Sequence, residues 1–156
     1  MKLLPELLVV DDNPADVALV SEALAGGLRH TKINSVGDGV EAMAFLNRRE
    51  KYANSLRPDL VLLDLNLPKK DGLAVLAAMK ANPDLRRIPV VIFSTSQLRK
   101  DVVRSYEVGA NCYVRKPGNL NEFFAAVKSV EEFWFNFVNL PPKENDGLSN
   151  HERIAD

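Results

Sequence analysis

Five polar residues stand where apolar stretches of the chain run out. Asp11-Asp12 closes the run Leu7-Leu8-Val9-Val10, and Asp64 closes Leu60-Val61-Leu62-Leu63. Ser94 follows Val90-Val91-Ile92-Phe93, and Lys116 follows Tyr113-Val114. Carboxylates gathered in one place repel each other and call for a cation. A set of oxygen ligands suits Mg2+, a hard ion that keeps waters and often serves phosphate. Lys116 can pair with a further anionic oxygen, and the Ser94 hydroxyl can donate to another. An aspartate carboxylate can attack phosphorus to form an acyl phosphate. The cation and the lysine would then stabilise the equatorial oxygens of the transition state.

These residues can meet only if the chain brings them to one edge of a sheet. Leu7 to Val10 reads as a strand buried on both faces. Asn13-Pro14 is a cap followed by a first-turn proline, and Val17, Val20 and Leu24 give the apolar stripe of the first helix, which Gly26-Gly27 ends. Ile33 to Val36 is a second strand. A helix after Asp38-Gly39 carries Val40, Met43, Ala44, Phe45 and Leu46 as its apolar residues. The third strand is Leu60 to Leu63, and the helix over Leu73, Val75, Leu76 and Met79 follows the loop 66–72. Val90 to Phe93 is the fourth strand, Leu98 to Val108 the fourth helix, Asn111 to Val114 the fifth strand, and a last helix starts near Leu120. Strands alternating with helices predict an α/β fold, a doubly wound five-stranded parallel sheet with flanking helices. Ligands of such sheets bind beyond the carboxyl ends of the strands, where the five polar residues lie.

Composition narrows the function. The chain has 156 residues, 46% of them hydrophobic, with a formal net charge of -1. That is one domain with a real core and without the basic field that bulk nucleic-acid binding needs. Cys112 is the only cysteine, which excludes an internal disulfide and reads as a small buried hydrophobe. His30 and His151 lie too far apart in sequence to suggest a histidine-based centre. The N-terminus has no signal-peptide pattern and no run reaches the ~20 apolar residues of a membrane span, so the chain reads as cytoplasmic.

The ordered set Val9-Val10-Asp11-Asp12-Asn13, Asp64 with Leu67-Pro68-x-x-Asp71-Gly72, Ser94, and Tyr113-x-x-Lys116-Pro117 resembles the receiver domain of two-component response regulators. The resemblance covers roughly residues 6 to 130. It implies the flavodoxin-like receiver fold, with Asp64 as phosphoacceptor and Asp12 as direct Mg2+ ligand. It further implies Asp11 acting through bound water and the backbone carbonyl of Asn66 as another ligand. Ser94 and Lys116 would contact the phosphoryl group, the Lys116-Pro117 bond would be cis, and Tyr113 would be the switch aromatic. Asn66 stands where many members carry Met, and Thr95 where a smaller residue is common.

Each residue also has a plainer reading. Asp64 alone could be a loop acid, and Asp11 and Asp12 could cap the first helix. But Asn13 is available for that cap, and adjacent buried acids are costly without a cation. Ser94 alone is a loop hydroxyl, Lys116 a surface lysine and Tyr113 a strand aromatic. Asp71-Gly72 is turn chemistry before a helix. Two rival functions remain open: a phosphatase with an aspartate nucleophile, and an interaction module that does not use phosphate. The first would place a second Asp two residues after the nucleophile, where this chain has Asn66.

The last helix predicts a partner. Leu120, Phe123, Phe124, Val127, Trp134 and Val138 form a core stripe at helical spacing, with Ala126, Val130, Phe133 and Phe137 beside it. Aromatic area beyond what one domain buries reads as a homodimer surface through Val130, Phe133 and Phe137. The segment from Glu132 to Pro141, together with Arg48 to Leu56, resembles stand-alone regulators of bacterial and cyanobacterial phytochromes. That implies a red-light-sensing histidine kinase as phosphodonor. Residues 6–140 are expected to form the receiver with an extended last helix, and 141–156 a polar tail too short for an output domain. No catalytic activity is expected beyond gaining and losing the phosphoryl group.

Overall fold

A computed structural model describes residues 4–27 and 30–142. Within them lie the parallel strands β1 (Glu6–Val10), β2 (Lys32–Val36), β3 (Leu60–Leu63), β4 (Val90–Ser94) and β5 (Cys112–Arg115). They alternate with helices α1 (Pro14–Ala25), α2 (Gly39–Leu46), α3 (Gly72–Ala81), α4 (Arg99–Val108) and α5 (Leu120–Glu132). The sheet order is β2-β1-β3-β4-β5, as the alternation predicts. The order reverses at β1, so a crevice opens between the ends of β1 and β3, the switch point of such sheets. Val10 pairs with Leu63 and Leu63 with Ile92, which sets the ends of β1, β3 and β4 nearly level.

Strand residues alternate between two cores. Leu8, Val10, Val61, Leu63, Val90 and Ile92 pack with Phe45 and Leu46 of α2 and Val75, Leu76 and Met79 of α3. Leu7, Val9, Leu60, Leu62, Val91 and Phe93 pack with Val20 and Leu24 of α1 and Phe123 and Val127 of α5. Burying a side chain of this size contributes roughly 1.5–3 kcal/mol, so both faces hold the strand ends in place. Asn and Asp side chains cap four of the helices: Asn13 on α1, Asp38 on α2, Asp71 on α3 and Asn119 on α5.

Several expectations shift. β5 lies one residue later than the apolar pattern suggests. Asn111 uses its side chain to accept from the Val90 N–H, and Arg115 takes the pairing place opposite Ser94. Val40 and Leu120, expected in the core, are exposed. A short 3-10 turn spans Glu50–Tyr52. After α5 the chain continues as a π-helical turn, Phe133–Phe137, closed by the Val138 N–H on the Phe133 carbonyl. The wider turn breaks the 3.6-residue stripe. Trp134 and Phe135 pack against the core, while Phe133 and Phe137 are 53% and 71% exposed. Val130, expected beside them on the surface, packs half-buried against the core. The expected tail from 143 onward lies outside the described residues.

Candidate functional site

The chain ends of four strands converge. Asp11 follows β1, Asp64 follows β3, Ser94 ends β4 and Lys116 follows β5. At the centre is the Lys116 ammonium, with Nζ 2.8 Å from Asp11 Oδ2, 2.9 Å from Asp64 Oδ2 and 2.9 Å from Asp16 Oδ2. The Lys116 N–H donates to the Ser94 carbonyl at 2.8 Å, which ties the lysine to the end of β4. Asp64 is anchored from below by its own N–H on the Val10 carbonyl at 2.9 Å, and its Oδ1 accepts from the Asn66 N–H at 3.2 Å.

Gly72 fixes the other side of Asp64. Its N–H donates to the Leu65 carbonyl at 3.0 Å, and a Cβ at this position would overlap the Asp64 carbonyl oxygen. The Asp71-Gly72 turn therefore does cap α3, as expected, and it also lets the start of α3 press against the Asp64 backbone. That second role needs the absence of a side chain.

One ammonium faces four carboxylates, counting Asp12. Burial raises the Asp11 carboxyl above the usual carboxylate range, with the Lys116 and Asn13 hydrogen bonds pulling the other way. Burial disfavours the Lys116 charge, but hydrogen bonds to Asp11, Asp16 and Asp64 outweigh it and hold the lysine above its ordinary value. Asp11, Asp12 and Asp64 each offer a carboxylate oxygen, and these oxygens lie within 4.8 Å of one another. Asp12 is exposed, so water can reach this set. Oxygen donors only, partly open, with excess negative charge, fit a hard divalent cation.

Ser94 is fully buried and its Oγ accepts from the Ser96 N–H at 3.3 Å. Tyr113 is half-buried, and its hydroxyl donates to the Ser96 carbonyl at 2.9 Å. Ser96 in turn donates from Oγ to Asp101 Oδ2 at 2.5 Å and accepts from the Leu98 N–H at 3.3 Å, at the start of α4. Ser94, Tyr113 and α4 are thus linked through one residue that the sequence reading passed over. The Lys116-Pro117 bond, expected cis, is trans, and no peptide among the described residues is cis. Proline lowers the trans preference to roughly 0.5–1 kcal/mol without reversing it.

The family model of the response regulator receiver domain matches residues 7–128. This chain belongs to that family. Receiver domains take up a phosphoryl group and work with histidine kinases, so the chain is a signalling receiver. It is 50% identical over 135 residues to the response regulator Rcp1 of Synechocystis, spanning 86% of this chain and 92% of that one. Among solved structures it is similar to the phosphorylated cyanobacterial phytochrome response regulator RcpA, at 48% identity and a TM-score of 0.87, covering 90% of this receiver and all of that one. The Mn2+-bound form of Rcp1 aligns at 48% identity and a TM-score of 0.85, over 88% and 99% of the two chains. No helix among the described residues is long and apolar enough to cross a membrane.

Asp16, like Ser96, is a site residue that sequence reasoning missed. It occupies the first turn of α1, where any helix favours an acid. Only the adjacent Asp11-Asp12-Asn13-Pro14, which places this turn beside the site, could have pointed to it.

Proposed function

We propose that this chain is a response-regulator receiver in which Asp64 accepts the phosphoryl group from a histidine kinase in a Mg2+-dependent reaction. One observation supports this above the others: a single ammonium, Lys116 Nζ, held by Asp64 and Asp11 where β1, β3 and β5 end. An Asp64 carboxylate oxygen attacks the phosphorus of a phosphohistidine. The P–N bond breaks, its electron pair returns to the imidazole nitrogen, and that nitrogen takes up a proton. Bound Mg2+ supplies charge neutralisation for the phosphoryl oxygens. Asp12 and Asp64 would hold it directly, Asp11 through water, with the Asn66 backbone carbonyl as a further ligand. Lys116 orients a phosphoryl oxygen, and the Ser94 hydroxyl donates to another. Ser94 then draws on Ser96, and Tyr113 follows, which carries the change to the start of α4. The chain stores the group as a signal and performs no other chemistry.

The kinase is a red-light-sensing one of the phytochrome class. Support comes from similarity to RcpA, described as a phytochrome response regulator, and to RPA3017, described as acting in red light signalling of R. palustris at 31% identity and a TM-score of 0.83. The exposed Phe133 and Phe137, flanked by Val130, form the contact of a homodimer. The test is transfer of labelled phosphate from an autophosphorylated phytochrome kinase. Wild type gains label and Asp64→Asn does not. Equal labelling of both, or of neither, contradicts the assignment.

A further inference from the structure

Lys116 has no donor to spare. An ammonium carries three N–H donors and no acceptor. Asp11, Asp16 and Asp64 take one each, at 2.8, 2.9 and 2.9 Å. A phosphoryl oxygen that recruits Lys116 must displace one of them. Asp11 and Asp64 belong to the oxygen cluster that fits a cation, and Asp16 does not. Their side chains are 6% and 9% exposed, against 21% for Asp16. Water can therefore replace the lost ammonium at Asp16 with the smallest penalty.

The plainer role for Asp16 is helix capping. It is the third residue of α1, where an acid commonly reaches back to the backbone N–H of the cap residue. Here the Asn13 N–H donates instead to Asp11 Oδ1 at 2.9 Å. The Asp16 carboxylate turns to Lys116 across the molecule. Asp16 and Lys116 also line one cavity of about 300 Å3, together with Thr95 and Leu120, so the pair faces a space open to rearrangement.

We propose that Asp16 is the resting dock of the Lys116 ammonium, a positioning residue that competes with the incoming phosphoryl group for the third donor. In the unphosphorylated chain Asp16 holds the lysine. When the phosphoryl group arrives, Lys116 leaves Asp16 and keeps its other partners. The dock tunes the resting state against premature loading. This inference rests on Asp64 being the phosphoacceptor.

The test uses beryllofluoride with Mg2+ as a phosphoryl mimic, followed by NMR of the Asp16 carboxyl carbon. In wild type that resonance moves on binding, because the carboxylate loses its ammonium. Asp16→Asn binds the mimic about fivefold tighter, the scale of one partly exposed ion pair. Asp16→Glu returns the affinity toward wild type, which a general capping role would not require. If wild type binds the mimic and its Asp16 resonance stays still, the dock is wrong while the phosphoacceptor stands. Equal or weaker binding by folded Asp16→Asn overturns it as well. If wild type binds no mimic, the phosphoacceptor reading falls and takes the dock with it. The wild-type resonance needs no variant to fold.

Discussion

Lys116 Nζ lies 2.9 Å from Asp64 Oδ2, joining the turn after β5 to the turn after β3 across the intervening β4. Both side chains are buried, so the pair interacts in a medium less polar than water and each charge depends on the other. The same ammonium also holds Asp11 and Asp16, which makes it the only counter-charge bonded to a four-carboxylate site among the described residues.

Lys116→Met leaves buried carboxylates without their cation. Removing one partner of a buried ion pair costs on the order of 3 kcal/mol. Thermal unfolding in EDTA should show a lower Tm than wild type. Added Mg2+ should restore part of the difference, because the ion supplies the missing positive charge. A Tm equal to wild type in EDTA would show that the acids do not rely on this lysine.

Gly72→Ala places a Cβ on the Asp64 carbonyl oxygen. The overlap is with backbone, which cannot swing aside as a side-chain tip would. Urea unfolding should show a loss of about 2 kcal/mol or more, and uptake of phosphate should fall because Asp64 is displaced. An unchanged midpoint and uptake would mean that α3 can back away freely.

The Tyr52 phenol gives a pH signature. Burial raises it to about 12, and the Glu41 carboxylate, which accepts from its hydroxyl at 2.5 Å, adds to the shift. The folded value lies above the ordinary 10.0, so folding favours the neutral phenol. That contribution is complete below pH 10 and is lost as pH rises toward 12. The stability gap between wild type and Tyr52→Phe should narrow over this interval in denaturant titrations. A constant gap would remove the Tyr52–Glu41 coupling.

Phe137 is the most exposed of the large hydrophobics described, and Phe133 stands on the same turn. Sedimentation equilibrium should report a dimer for wild type. The double variant Phe133→Asp, Phe137→Asp should be monomeric and still folded, since Phe137 lies outside the core and Phe133 reaches it only through the edge of Trp134. A monomeric wild type at high concentration, with or without beryllofluoride, contradicts the dimer surface.

The strands and four of the converging ends were legible because a buried parallel strand is a continuous apolar run, and the polar residues at its end mark the carboxyl edge of the sheet. That logic located Asp11, Asp64 and Ser94, which directly follow their runs, and Lys116, which follows Val114 by two. It could not find Asp16, whose link to Lys116 spans 100 residues and depends on how α1 sits over the end of β5. In the aromatic segment the helical period places Trp134 against the core and Phe133 and Phe137 outside it, as found, but it carries no sign of the π turn or of Phe135 packing inward. The close approach of Gly72 to Asp64 was hidden for a similar reason: a turn glycine looks the same whether or not backbone lies against it.

The most direct measurement is intact mass after incubation with acetyl phosphate and Mg2+. A phosphoacceptor at Asp64 predicts that wild type gains the mass of one phosphoryl group, that EDTA prevents the gain, and that Asp64→Asn stays unmodified. Equal gain by Asp64→Asn, or no gain by wild type in Mg2+, would contradict it.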